Sequence, residues 1–268
     1  MLEIRGLTVR RRKRPVLNNV SLSLPAGELV GVLGLNGAGK TTLLHAVLGF
    51  CPITSGAVEV DGQRILSLPV AERAKRLSYV PQNCQGELHF MVEEFVSMGA
   101  TAYLGVFSRP GRESLDRAKA IMTDLDCAHL LGRRMDALSG GERRMAYLAR
   151  AVMQDAPYML LDEPVDSLDF SRQHGFLTLL WDYMKCKSAG CLMTIHDPAL
   201  AYCYCDRLIL LHEGRVLADI SLDKPGSCEA LADGLGCLYG SRTQVSFSGE
   251  RLVMGWSKNI FSKTQKKS

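Results

Sequence analysis

No run of apolar residues approaches the roughly eighteen that a helix needs to cross a bilayer, so no transmembrane helix is expected. The first residues, Met1-Leu2-Glu3-Ile4-Arg5, lack the apolar stretch of a secretory signal, and none is expected. An excess of charge of one sign is also missing. Thirty-two Lys and Arg stand against 28 Asp and Glu, a formal net charge of +4 at pH 7, which gives no bias towards nucleic acid. There is no C-x-x-C pair. The nine cysteines are odd in number and scattered, and Cys203 and Cys205, two apart, would point to different faces of a helix. Reduced, buried thiols in a cytosolic protein are expected rather than a metal site or disulfides. Internal repeats and low-complexity segments are absent, and 268 residues suit one large domain with a sizeable core.

What is present begins with Gly34-Leu35-Asn36-Gly37-Ala38-Gly39-Lys40-Thr41-Thr42, directly after the apolar run Leu29–Leu33. The spacing fits G-x-x-x-x-G-K-[ST]. Glycines let the backbone aim N–H groups at phosphate oxygens, Lys40 adds a point charge, and the Thr41 hydroxyl can ligate Mg²⁺. The residues from Thr42 to Leu48 are helix formers with an apolar face, so the loop lies between a strand and a helix N-terminus, where the helix dipole favours an anion. A second signal is Tyr158-Met159-Leu160-Leu161 followed by Asp162-Glu163: a buried strand delivering two carboxylates at its C-terminal end. One acid suits Mg²⁺, and the other can orient or deprotonate water. Between the two lies Leu138-Ser139-Gly140-Gly141-Glu142, which opens a helical stretch reaching Met153. Taken alone it reads as an ordinary N-cap; beside a phosphate loop it also reads as a second anion site.

Together these motifs resemble the ATP-binding cassette ATPases over roughly residues 1 to 256. Gly34–Thr42 is similar to their Walker A, Tyr158–Glu163 to their Walker B and Leu138–Glu142 to their signature. Gln82 in Tyr79-Val80-Pro81-Gln82 resembles the Q-loop glutamine, Ser167-Leu168-Asp169 the D-loop, and His196 in Thr194-Ile195-His196-Asp197 the switch histidine. The resemblance implies an α/β fold: an ABC-type P-loop NTPase core with an N-terminal antiparallel β-subdomain and an inserted α-helical subdomain at about 88–154, the whole ATPase domain spanning 1–240. A short C-terminal extension, 241–268, ends in a basic tail, and the tail from Ser257 is expected to fray.

The resemblance also implies ATP and Mg²⁺ as cofactors and a homodimer in which each ATP lies between the Walker A of one chain and the signature of the other. Lys40 and the loop amides then hold the β- and γ-phosphates. Thr41, Gln82 and Asp162 hold Mg²⁺, the last through water. Glu163 polarises the lytic water, and His196 meets the γ-phosphate. Ser139, Gly140, Gly141, Glu142 and Asp169 act across the dimer seam.

Two departures from the family pattern stand out. Arg11, inside Arg10-Arg11-Arg12-Lys13-Arg14, takes the place of an adenine-stacking aromatic; either it stacks on the base or the run is a solvated basic hairpin. Asp166, after Pro164-Val165, adds an acid near the seam.

Further stretches, Met98–Ala100, Tyr103–Pro110 and Leu238-Tyr239-Gly240, look most like the ATPases of metal-chelate importers for iron–siderophore, haem or cobalamin cargo. That implies a membrane permease, indirectly an extracytoplasmic binding protein, and a peripheral place on the cytoplasmic face of the membrane. The permease would dock on residues 83–100. A non-membrane cassette ATPase of iron–sulfur cluster assembly, or an importer of metal ions or oxyanions, stays open.

Overall fold

In the computed structural model, which describes residues 1–12, 14–84, 89–105, 108–166, 168–248 and 251–257, the strands are β1 (Leu2–Arg11), β2 (Arg14–Leu24), β3 (Leu29–Leu33), β4 (Ser55–Val60), β5 (Gln63–Arg64), β6 (Leu77–Val80), β7 (Tyr158–Asp162), β8 (Gly190–Thr194), β9 (Arg207–His212), β10 (Arg215–Ser221), β11 (Thr243–Ser248) and β12 (Arg251–Trp256). The helices are α1 (Lys40–Leu48), α2 (Val70–Ala74), α3 (Val92–Ser97), α4 (Arg112–Asp124), α5 (Gly140–Met153), α6 (Phe170–Lys187), α7 (Pro198–Tyr204) and α8 (Ser227–Tyr239). A four-stranded antiparallel sheet, β2-β1-β4-β5, lies beside a six-stranded sheet ordered β10-β9-β3-β8-β7-β6, in which only β10 runs antiparallel to its neighbour.

The apolar runs that mark the central strands follow from this layering. In β3, Val30 and Val32 belong to a core shared with the antiparallel sheet and α1, while Leu29 and Leu33 belong to the core on the other face. β7 alternates in the same way: Tyr158 and Leu160 face the first core, Met159 and Leu161 the second. A parallel strand covered on both faces has no use for polar residues, so it reads as a continuous hydrophobic run rather than an alternation.

β6 and β7 are adjacent in the sheet, yet α3, α4 and α5 all lie between them in sequence. These helices pack on one another around Phe95, Ala118, Met122 and Leu148, which join the second core. Gly99 explains part of the fit: a Cβ there would sit 2.3 Å from the Arg150 carbonyl oxygen, so α5 can approach only a glycine.

The basic run near the N-terminus is less loop-like than its composition suggests. Arg10 and Arg11 lie on β1, and Arg14 begins β2, with Arg11 paired to Arg14; Lys13 lies outside the described residues. The last elements are tied to the main body. The hairpin β11–β12 packs on α7 and α8, and Leu252 of β12 is buried in the second core. Of the tail from Ser257, residues 258–268 lie outside the described residues. The nine cysteines are free, with Cys84, Cys127, Cys191 and Cys205 buried, and burial pushes the Cys84 and Cys127 thiols up to about 11. No group of His, Cys, Asp and Glu suited to a metal ion occurs among the described residues.

Candidate functional site

The loops that leave the C-terminal ends of β3, β6, β7 and β8 meet at one edge of the sheet, the edge at which open α/β sheets receive ligands. From β3 the chain enters the glycine loop and then α1. Gly39 caps the helix with φ 107°. A Cβ on it would lie 2.8 Å from Leu17 Cδ2 and 3.0 Å from the Val16 carbonyl oxygen, so both conformation and space demand glycine. Gly34 is held by space alone: its Cβ would stand 2.5 Å from the Leu211 carbonyl oxygen. Lys40, Thr41 and Thr42 therefore occupy the first turn of α1, where free N–H groups and the dipole make an anion site.

Leu35, Asn36, Gly37, Gly39, Lys40, Thr41, Thr42, Gln82, Glu163, Arg11 and Val16 line a cavity of about 380 Å³ over this loop. Arg11 thus stands at the cavity wall, beside Val16 of the neighbouring strand. Lys40 is only 5% exposed. Its ammonium donates to the Gly34 carbonyl at 2.9 Å and lies 3.5 Å from Glu163 Oε1.

The end of β7 carries the second half of the site. Asp162 is 1% exposed. Its Oδ1 accepts from Thr41 Oγ1 at 3.2 Å and from Thr194 Oγ1 at 2.7 Å, while Oδ2 is buried with no hydrogen-bond partner among the described residues. A buried, unpaired carboxylate oxygen is costly unless something binds it. Together with the Thr41 hydroxyl and the nearby Gln82 amide it forms an all-oxygen donor set, which suits a hard divalent cation such as Mg²⁺. Glu163 follows just beyond the strand with φ 47°, in the left-handed region that a side chain rarely adopts. Its N–H donates to Thr194 Oγ1 at 2.8 Å, and its carbonyl accepts from Asp166 N at 3.2 Å and Arg144 Nη1 at 3.0 Å. Its carboxylate receives three neighbours: His196 Nε2 at 2.6 Å from Oε1, Lys40 Nζ, and Gln82 Nε2, which donates to Oε2.

The signature residues lie elsewhere. None of Ser139, Gly140, Gly141, Glu142 or Asp169 is among the described residues lining the cavity over the glycine loop. Ser139 caps α5: its hydroxyl accepts from Glu142 N, and the Glu142 carboxylate accepts from Ser139 N at 2.8 Å. That backbone bond, with the Ser139 hydroxyl and Arg133 adding to it, draws the Glu142 carboxyl down to about 2. Asp169 caps α6, accepting from Arg172 N at 3.0 Å. Ser167 lies outside the described residues, as do Gln85–Leu88 of the expected permease surface and Val106-Phe107 of the Tyr103–Pro110 stretch. Phe90, within that surface, is exposed.

Two contributors escape a reading of motifs. Thr194 stands directly across from Asp162 in the β7–β8 register, and its one hydroxyl serves both acids of β7. A polar residue ending an apolar strand two positions before His196 was the available signal. Arg144, one turn into α5, left no signal, since arginines on a helix usually face water.

Comparison with known proteins fits this geometry. A family model described as ABC transporter matches residues 17–166. The hemin import ATP-binding protein HmuV of Pseudomonas fluorescens is 41% identical over 94% of this chain and 97% of its own length. The cobalamin import ATP-binding protein BtuD of Halobacterium salinarum is 38% identical over 80% of this chain and 54% of its own. A solved ABC transporter in an inward-facing conformation shares the fold with a TM-score of 0.78 at 24% identity, covering 96% of each chain.

Proposed function

The chain belongs to the ABC transporter family, and from that premise we propose that it is the ATP-binding and ATP-hydrolysing subunit of an importer of metal chelates, working through a separate membrane permease. The cargo class is iron–siderophore, haem or cobalamin. One observation carries the reading: a complete phosphate-loop and acid-pair site in a chain whose relatives along nearly its full length are named for hemin import or iron chelatin transport. No helix among the described residues is long and apolar enough to cross a membrane, so the transmembrane path is assigned to a partner. The chain is then peripheral, at the cytoplasmic face. The ATPase unit comprises residues 1–240 with its helical insert at about 88–154, and 241–268 form a short extension.

The geometry supports the following roles. The amides of Gly37 to Thr42 and the Lys40 ammonium bind the β- and γ-phosphates, and Arg11 faces the base from the cavity wall. Thr41, Gln82 and Asp162 hold Mg²⁺, which when bound neutralises phosphate charge. Glu163 takes the proton of the attacking water, and His196, within hydrogen-bond reach of Glu163, meets the γ-phosphate. Ser139, Gly140, Gly141 and Asp169 lie off this cavity and serve a second ATP, that of a partner copy.

The test is a deletion strain grown with haem, a ferric siderophore or cobalamin as the sole source of its nutrient. Loss of growth on one of them, restored by the wild-type gene but not by Glu163→Gln, is expected. Normal growth on all three overturns the cargo class; a defect in iron–sulfur enzymes in its place overturns transport itself.

A further inference from the structure

Glu163 has to hold its carboxylate in place from a backbone conformation that disfavours any side chain. Its side-chain neighbours cannot supply that rigidity, because Lys40, Gln82 and His196 are the groups that must respond to nucleotide. The backbone clamps can. On one side the N–H is fixed to the buried Thr194 hydroxyl at 2.8 Å. On the other, the carbonyl accepts from Arg144 Nη1 at 3.0 Å, across from α5. The next residue along α5, counted towards its N-terminus, makes a parallel contact: Arg143 Nη1 donates to the Cys84 carbonyl at 3.4 Å, two residues after Gln82. Consecutive arginines thus reach the two loops that carry Gln82 and Glu163, and both come from the helix that Ser139 caps.

We infer that Arg144 is a positioning residue for hydrolysis: it ties the Glu163 backbone to the helix that bears the signature, so that a shift of that helix is passed to the acid facing the attacking water. This rests on the ATPase reading above. The distances make the link mechanical. Ser139 and Arg144 are five residues apart on one rigid helix, about 7.5 Å along its axis. A helix end that moves on contact with a second nucleotide carries the guanidinium with it. Arg144 does not line the phosphate cavity and reaches it only through the Glu163 carbonyl, so it is not a catalytic residue. Nor is it needed to satisfy the carbonyl, which keeps the Asp166 N–H at 3.2 Å when the guanidinium is removed. The fold therefore tolerates its loss, and the effect is confined to the placement of Glu163.

The test uses purified full-length protein as wild type, Arg144→Ala, Arg144→Lys and Glu163→Gln. ATP affinity is read by equilibrium binding of a fluorescent ATP analogue, turnover by phosphate release, and folding by thermal melting. Arg144→Ala is expected to lower kcat roughly 10- to 100-fold, the loss that a misplaced catalytic group produces, with the dissociation constant changed by no more than about twofold. Arg144→Lys, which retains one donor, is expected to recover part of that loss. Wild-type kcat in Arg144→Ala overturns the inference. So does a parallel fall in kcat, affinity and melting temperature without rescue by lysine, which marks a structural role. If wild type hydrolyses ATP and Glu163→Gln does not, while Arg144→Ala is normal, only this inference fails. A wild-type protein with no ATPase activity removes the functional reading along with it.

Discussion

His196 Nε2 lies 2.6 Å from Glu163 Oε1, one link in a cluster that joins the ends of β7 and β8 to the glycine loop. The same carboxylate is faced by Lys40 and Gln82, so one acid sits among residues drawn from three other stretches of chain. Lys40 and His196 both point to Glu163 Oε1. That arrangement makes the carboxylate the natural target for the first test.

Glu163→Gln keeps the shape and the hydrogen-bond reach of the side chain but removes its basicity. Turnover should fall by roughly 10²-fold or more while ATP binding stays nearly intact. Size exclusion with ATP should then reveal a retained dimer. Wild-type turnover in this variant excludes Glu163 as the base.

Thr194→Val is nearly isosteric and removes the hydroxyl that serves both acids. It leaves the Glu163 N–H and one Asp162 lone pair unpartnered in a fully buried place, a cost of about 1–3 kcal/mol. The melting temperature should fall by about 2–10 °C in a protein of this size, and turnover should fall with it. An unchanged melting curve shows that the hydroxyl is not holding β7.

Asp162→Asn replaces the orphaned Oδ2 or its partner with an amide and removes the charge. The variant should lose Mg²⁺-dependent tightening of ATP binding, so that adding Mg²⁺ or chelating it changes the dissociation constant by less than about twofold. A full Mg²⁺ response, compared by calorimetry with and without a chelator, assigns the cation to other ligands.

Arg11→Ala tests the base contact. A cation–π contact worth about 0.5–2 kcal/mol translates into a roughly 2- to 30-fold weaker ATP dissociation constant. Arg10→Ala and Arg12→Ala should change it less, since neither lines the cavity over the glycine loop. Equal effects of all three, fading with added salt, identify long-range charge as the cause.

Phe90→Asp places a charge on an exposed aromatic of the surface expected to meet the permease. Burying that charge at a docking cleft is costly, whereas the phosphate loop is assembled elsewhere in the fold. Transport of the chelate should be lost with the ATP affinity of the isolated subunit unchanged. Normal uptake moves the docking surface away from Phe90.

What could be read in advance was whatever is local in the chain. The glycine loop and the first turn of α1 are contiguous, so Gly34 to Thr42 declare an anion site by spacing alone. The strand that ends in Asp162-Glu163 is equally plain, because a strand buried on both faces leaves an unbroken apolar run. The capping box of Ser139 and Glu142 likewise spans only four consecutive residues, and its ordinary role in starting α5 is the one seen within a single chain. The extent of β1, which takes in Arg10 and Arg11, was not local: those arginines pair across to β2, and the pairing overrides their polarity.

The sequence by itself determined that a phosphate loop, a pair of acids, a glutamine and a histidine exist, each at the end of an apolar run. The tertiary structure alone decided which of them touch. Strand order β3-β8-β7-β6 is not the order of the chain, and it is this permutation that sets Thr194 opposite Asp162 and brings Gln82 and His196 to one carboxylate. The physical reason is that sheet order is chosen by how whole faces bury their apolar side chains, whereas a polar residue at a strand end contributes little to that choice and is simply carried to wherever its strand is placed. Arg144 shows this most clearly: nothing within several residues of it marks a partner, and only the packing of α5 beside the end of β7 gives its guanidinium the Glu163 carbonyl.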